Sequence, residues 1–173
     1  MRFERLTSPN SDMFLPAMDL YWSCFPLNEQ REYQSQCSIM DEEEYHFDLI
    51  YEGEDFVGFI LHWDREDFIY VEHFCIAHER RGGGLGAKAL ELLKAAGKPL
   101  VLEIDPPVNE ISRRRKGFYE RCGFAVNDFD HVHPSYHAMF PGNPLVLMSC
   151  PAVLSEAEYK TFYSYLCNTV MAQ

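Results

Sequence analysis

The sequence predicts a mixed α/β fold, a mostly antiparallel sheet of about seven strands with a central parallel pair, flanked by helices. Three observations predict it. Apolar runs at residues 45–52, 55–63 and 68–77 are separated only by short polar turns around Gly53 and Asp64-Arg65-Glu66-Asp67, so these three strands run antiparallel. An amphipathic stretch at 84–96 then leads into an apolar strand at 99–105, and a strand–helix–strand crossover makes the strands at its two ends parallel. Further strand signals at 2–7, 123–129 and 144–150 complete the set.

Each element has its own reason. After the first strand, residues 12–24 read as a helix with Asp12 as its cap and Leu15, Met18, Tyr21 and Trp22 along one stripe, ended by Phe25-Pro26. A second, polar helix is expected at 28–36. In the 84–96 helix, Leu85, Ala89, Leu92, Leu93 and Ala96 share a face while Lys88, Glu91 and Lys94 point out, and Gly97 closes it. Asn109 caps a helix over about 110–122, which Gly123 ends. Pro151 stops the last strand, and Ser155-Glu156-Ala157-Glu158 is a capping box opening a C-terminal helix with Tyr159, Phe162, Tyr163, Leu166 and Val170 on one face.

The 173 residues read as one domain, 1–173, with 151–173 as a helical extension. A net charge of −12 opposes binding to nucleic acid or to an anionic membrane and favours a cationic partner. None of the six cysteines forms a C-x-x-C pair, and several sit in apolar runs where a thiol packs as a small core residue. No secretory leader and no 18-residue apolar run is legible, so the expectation is a cytoplasmic protein with reduced thiols.

The densest chemical signal is Arg80-Arg81-Gly82-Gly83-Gly84-Leu85-Gly86-Ala87, between a strand and a helix. Glycines there clear side chains away, so backbone N–H groups can close around an anion. The helix start adds unsatisfied donors and a positive dipole end, and Arg81 adds a permanently charged fork. Together they describe a pyrophosphate cradle. Gly82, Gly84 and Ala87 also fit the G-x-G-x-x-A spacing of a dinucleotide fold, with Glu103 placed as the ribose acid, so a nicotinamide-dependent oxidoreductase is an alternative reading. Against it, three antiparallel strands precede the turn and little chain remains for further parallel units. A Walker loop is excluded, since no Gly-Lys-Ser/Thr follows.

Arg81-Gly82-Gly83-Gly84-Leu85-Gly86 resembles the R/Q-x-x-G-x-G/A signature of the GNAT superfamily of acyl-CoA-dependent N-acyltransferases. Phe74-Cys75-Ile76-Ala77 matches the strand end before it, and Gly117-Phe118-Tyr119-Glu120-Arg121-Cys122-Gly123-Phe124 matches the family's second, helix-borne signature. The order of elements agrees to about residue 150. The resemblance implies transfer of an acetyl group from acetyl-CoA to a primary amine of a small molecule or peptide by direct attack. It implies that pantetheine lies between two diverging strands against backbone groups of Cys75, Ile76 and Ala77, with the pyrophosphate on the amides of Gly82, Gly83, Gly84, Leu85, Gly86 and Ala87 beside Arg81. Ser112 stands where the family often has asparagine, and it shares a helix face with Arg115 and Tyr119; Ser112, Arg115 and Phe118 complete the expected cofactor contacts.

An ammonium of pKa about 10.4 must lose a proton before it can attack, which costs about 4.6 kcal/mol at pH 7, so a general base is needed. Strand alternation puts Glu72 with Tyr70, Phe74 and Ile76 and makes it the first candidate, with Glu103 second; His73 is expected to point the other way. Tyr119 resembles the family's leaving-group acid, and the Ile76 N–H is expected to stabilise the oxyanion. His131, His133 and His137 invite a metal reading, but only Asp128 and Asp130 lie near them, so no metal is expected and the loop reads as a wall of the acceptor site. Residues 25–40 line the acceptor side with it. The remaining alternative is a non-catalytic acyl-CoA sensor, and the aromatic C-terminal helix suggests cover for a homodimer contact.

Overall fold

The structure, a computed structural model, describes residues 1–172. In chain order it contains β1 (Arg2–Leu6), α1 (Phe14–Cys24), α2 (Tyr33–Ser38), β2 (Tyr45–Glu52), β3 (Asp55–Asp64), β4 (Ile69–Ile76), α3 (Leu85–Lys94), β5 (Leu100–Ile104) and α4 (Glu110–Arg121). There follow β6 (Ala125–Val126), β7 (Val132–His133), β8 (Asn143–Pro144), β9 (Val146–Cys150) and α5 (Glu156–Asn168). Seven strands form one sheet in the order β1-β2-β3-β4-β5-β9-β6, in which only β4 and β5 run parallel. No helix among the described residues is long and apolar enough to cross a membrane.

Alternation along β2 and β3 builds a core on each face of the sheet. Phe47, Leu49, Phe59, Leu61 and Trp63 face α1 and α5. Ile50, Ile60, Val71 and Leu102 face α3 and α4. In α1 the buried stripe is Phe14, Ala17, Met18 and Tyr21, whereas Leu15 and Trp22 are exposed, and Met13 rather than Asp12 occupies the cap without a side-chain bond. The expected polar helix at 28–36 is instead a single turn at Leu27–Glu29 followed by α2. In α3 the inward residues are Ala89, Leu90 and Leu93, and Leu92 is outside. The last two expected strands shrink to Ala125–Val126 and Val146–Cys150, and the loop between them carries a small ribbon, β7 with β8. The C-terminal helix is capped by Ser155 and Glu158 as expected and turns Phe162, Tyr165 and Leu166 onto the sheet.

Two departures from regular pairing shape the site. β4 and β5 pair only at Ile69–Leu100, Tyr70–Val101 and Val71–Leu102, after which the two strands diverge. On the other side of β4, Leu61 pairs with His73 and His62 with Val71, so Glu72 is an extra residue, a bulge. Gly58 lets β3 close on β4 just beyond, because a Cβ there would lie 2.2 Å from the Cys75 carbonyl oxygen.

Candidate active site

The divergence of β4 from β5 opens a cleft of about 1260 Å³. Arg80 and Arg81 stand beside the glycine bend, its basic end, while Glu29, Glu72, Glu103 and Asp105 also line it, Glu72 paired with Arg31 and Asp105 with Arg115.

At the basic end, Gly82 and Gly84 take φ of +85° and +76°, a region that L side chains avoid, and Gly84 caps α3. Among the described residues, the N–H groups of Gly82, Gly83 and Gly84 and of the first turn of α3 meet no backbone acceptor before Lys88 bonds to the Gly84 carbonyl at 3.1 Å. Six donors therefore surround an exposed glycine bend at a helix N-terminus. Gly86 faces α4, where a Cβ would sit 3.2 Å from Phe118 Cζ. Arg81 is held in place by a bond from its Nε to the Ile76 carbonyl at 2.8 Å.

The three expected backbone contacts on β4 divide. Ala77 donates its N–H to Val57 on β3, and the Cys75 carbonyl abuts Gly58 on the same side. Neighbouring residues of a strand alternate in the direction of their backbone groups, so Phe74 and Ile76 are the ones facing the cleft. The Cys75 side chain packs toward α1 and meets Cys24.

On α4, Ser112 is buried and forms the capping box with Asn109: its hydroxyl accepts from the Asn109 N–H at 3.1 Å and donates to the Asn109 carbonyl at 3.2 Å. That hydroxyl is thereby engaged away from the cleft. Arg115 pairs with Asp105 at 2.6 Å across its rim. Tyr119 lines the cleft, and its hydroxyl makes no hydrogen bond to another described residue. Burial pushes its pKa up to about 12, so it stays protonated at neutral pH.

The bulge changes the carboxylate geometry. Glu72 and His73 both turn to the α1 side, where His73 lies edge-on to Tyr21 and Phe25, while Phe74 and Ile76 pack with the opposite core. The expectation that His73 opposes Glu72 is therefore corrected, since an extra residue breaks the alternation on which it rests. Glu72 accepts from Arg31 at 2.8 Å, Trp63 Nε1 at 2.7 Å and Tyr136 Oη at 2.8 Å, and both members of the Arg31–Glu72 pair are almost fully buried. Burial alone would raise the Glu72 pKa, but Arg31, His73 and the Trp63 and Tyr136 bonds outweigh it and hold the carboxyl down to about 2. His73 Nε2 meets the Glu29 carbonyl at 2.8 Å.

Glu103 occupies the facing strand. It accepts from Tyr70 Oη at 2.5 Å and is joined by His131 Nε2, whose other nitrogen meets Tyr159 Oη at 3.1 Å. His133 Nε2 lies 3.9 Å away, with its Nδ1 on the Pro134 carbonyl. Burial pushes the Glu103 carboxyl up, but His133, His131 and Tyr70 prevail and its pKa falls below the ordinary value. Arg31, Tyr136 and Tyr70 are the site residues that the sequence reading missed. A lone arginine 41 residues from its partner carries no local pattern. His131 and His133 were visible only as a histidine-rich loop.

The acetyltransferase (GNAT) family model matches residues 14–124. The chain is 30% identical over 102 residues to the acetyltransferase-type protein YjbC of Bacillus subtilis (strain 168), a match over 58% of this chain and 52% of that protein. The chain thus spans about half the length of that curated relative. A solved GNAT-family protein of Bacteroides thetaiotaomicron is 31% identical, with a TM-score of 0.93 over 100% of this chain and 99% of that one. A Bacillus subtilis acetyltransferase solved with CoA is 13% identical, with a TM-score of 0.57 over 86% of this chain and 96% of that one, and shows the fold alone.

Proposed function

The chain belongs to the GNAT acetyltransferase family, and from that premise we propose that it transfers an acetyl group from acetyl-CoA to a primary amine of a small molecule or peptide by direct attack. The observation that carries this reading is the cleft between β4 and β5, with amides that meet no backbone acceptor and Arg81 at the glycine bend and the Glu103 carboxylate in its lining. The diphosphate binds on the amides of residues 82–87 beside Arg81. Pantetheine runs along β4 and bonds the backbone of Phe74 and Ile76, which brings the thioester toward the bulge. An incoming ammonium is drawn by the net negative charge of the chain and by Glu103.

Glu103 and His133 form the base in this proposal. His133 donates Nδ1–H to the Pro134 carbonyl, which leaves Nε2 to accept the amine proton directly or through one water, and Glu103 stabilises the imidazolium that results. Glu72 is reassigned from base to positioning residue, because a carboxylate that already holds a buried guanidinium and two further donors has a pKa far from neutrality. The amine nitrogen bonds to the acetyl carbonyl carbon, the C–S bond breaks, and Tyr119 Oη donates a hydrogen bond to the departing thiolate. The nicotinamide alternative loses its footing, since the sheet has a single parallel pair.

Release of free thiol from acetyl-CoA, followed across a panel of diamines, amino sugars, amino acids and peptides, tests the reading. Acceptor-dependent thiol release is expected. Tight acetyl-CoA binding with no release for any amine would favour a sensor.

A further inference from the structure

A second histidine cluster lies outside the cleft, and neither the fold nor the proposed reaction uses it. His46 on β2 pairs directly with His62 on β3, and Asp48 follows two residues after His46 on the same face. Alternation sets all three on the side of Ile50 and Ile60, toward the end of the sheet away from the glycine bend. The two rings stack with centroids 4.6 Å apart. Asp48 Oδ2 lies 3.8 Å from His46 Nδ1 and 4.0 Å from His62 Nδ1.

Two independent features single the cluster out. The first is an orphan: the His62 side chain is 3% exposed, and its Nδ1 has no hydrogen-bond partner. Buried ring nitrogens are normally paired. The second is the carboxylate, which is 9% exposed and accepts no hydrogen bond from another described residue. The nearby cation does not serve it, because Arg5, opposite Asp48 on β1, donates to the backbone carbonyls of Glu42, Glu43 and Tyr45. Asp64, the next acid on β3, is occupied by Lys98 at 2.6 Å. Two imidazole nitrogens and one carboxylate oxygen therefore converge, and the three ligand atoms lie within 4.8 Å of one another.

We propose that His46, Asp48 and His62 bind a divalent transition-metal ion of the zinc class, with solvent completing the coordination. A donor set of two nitrogens and one oxygen suits zinc or cobalt and disfavours calcium or magnesium, which take oxygen ligands. Bonds of about 2.0–2.1 Å in a tetrahedral site place ligand atoms roughly 3.3 Å apart. The Asp48 oxygen lies 3.8 and 4.0 Å from the two Nδ1 atoms, about 0.5 and 0.7 Å beyond that, so the stacked rings turn about their side-chain bonds to meet one ion. Bound there, the ion ties β2 to β3 beside the stretch of β3 that opposes the bulge.

Chelator-stripped full-length protein is titrated with CoCl2, read by visible d–d absorption, and with ZnCl2, read by calorimetry. One equivalent of saturable uptake is expected, weakened by at least about tenfold in His46→Gln and in Asp48→Asn. His137→Gln, in the other histidine cluster, leaves uptake unchanged. No saturable uptake, uptake that survives either substitution, or uptake that is lost with His137 overturns the proposal. Anomalous scattering from zinc-soaked wild-type crystals decides independently of variant folding: an ion between His46, Asp48 and His62 supports the site, and an ion elsewhere or none refutes it.

Discussion

Replacing Glu72 with glutamine separates a buried structural pair from a free catalytic base. Arg31 and Glu72 are 2% and 1% exposed and 2.8 Å apart, so Glu72→Gln strands a guanidinium inside the protein. Removing one partner of such a pair costs about 3–5 kcal/mol. The low end applies, because a glutamine oxygen in the Oε1 position still accepts from Arg31 and Tyr136, although its amide nitrogen gives up the bond from Trp63, and Arg31 retains the Val170 carbonyl. Linkage gives the same size. The interval between an ordinary glutamate and the value of about 2 corresponds to about 3 kcal/mol. The sign follows from a depressed carboxyl pKa: the stabilisation is fully present above about pH 5 and is lost as pH falls toward 2. Urea denaturation should therefore find Glu72→Gln less stable than wild type by about 3 kcal/mol at pH 7, with the difference shrinking in acid. Arg31→Met combined with Glu72→Gln should recover at least half of the loss, since no charge is left unpaired. A single variant within about 1 kcal/mol of wild type at pH 7, or a difference that does not depend on pH, would refute the reasoning.

Other outcomes follow from the same geometry. Glu103→Gln should lower kcat/KM most near neutral pH and less at high pH, where the amine arrives unprotonated, while leaving acetyl-CoA affinity alone; a loss independent of pH would remove the base role. Tyr119→Phe should slow turnover by about tenfold or more with almost unchanged acetyl-CoA affinity, and equal rates would make the residue structural. Gly84→Ala forces a side chain to φ +76°, so it should cost about 1 kcal/mol of stability and weaken acetyl-CoA binding in calorimetry; unaltered binding would mean that the bend does not hold the diphosphate.

Much of the frame was legible in the sequence, because hairpin-length turns and period-two runs fix β2, β3 and β4 locally and the glycine bend announces α3. Capping chemistry also read correctly at Asn109 and Ser155, where the deciding residues are three apart. What failed depended on distant partners. The α1 stripe was misplaced because apolar residues ran almost all round the helix, and only packing against the sheet decides that Phe14 and Ala17 are inside. The bulge at Glu72 leaves no local mark, yet it reverses the orientation of His73 and hands Glu72 to Arg31. Ser112 was read as a ligand group because of its place in the family's pattern, while its own helix claims the hydroxyl as a cap.

In the proposed reaction, exposed main-chain amides at residues 82–87 aim a thioester into the gap between β4 and β5. Co-crystallisation with acetyl-CoA measures this most directly. The diphosphate should rest on those amides, with pantetheine beside Phe74 and Ile76 and the acetyl group between Tyr119 and Glu103. Density for the cofactor on any other surface, or a gap left empty at saturating acetyl-CoA, would contradict it.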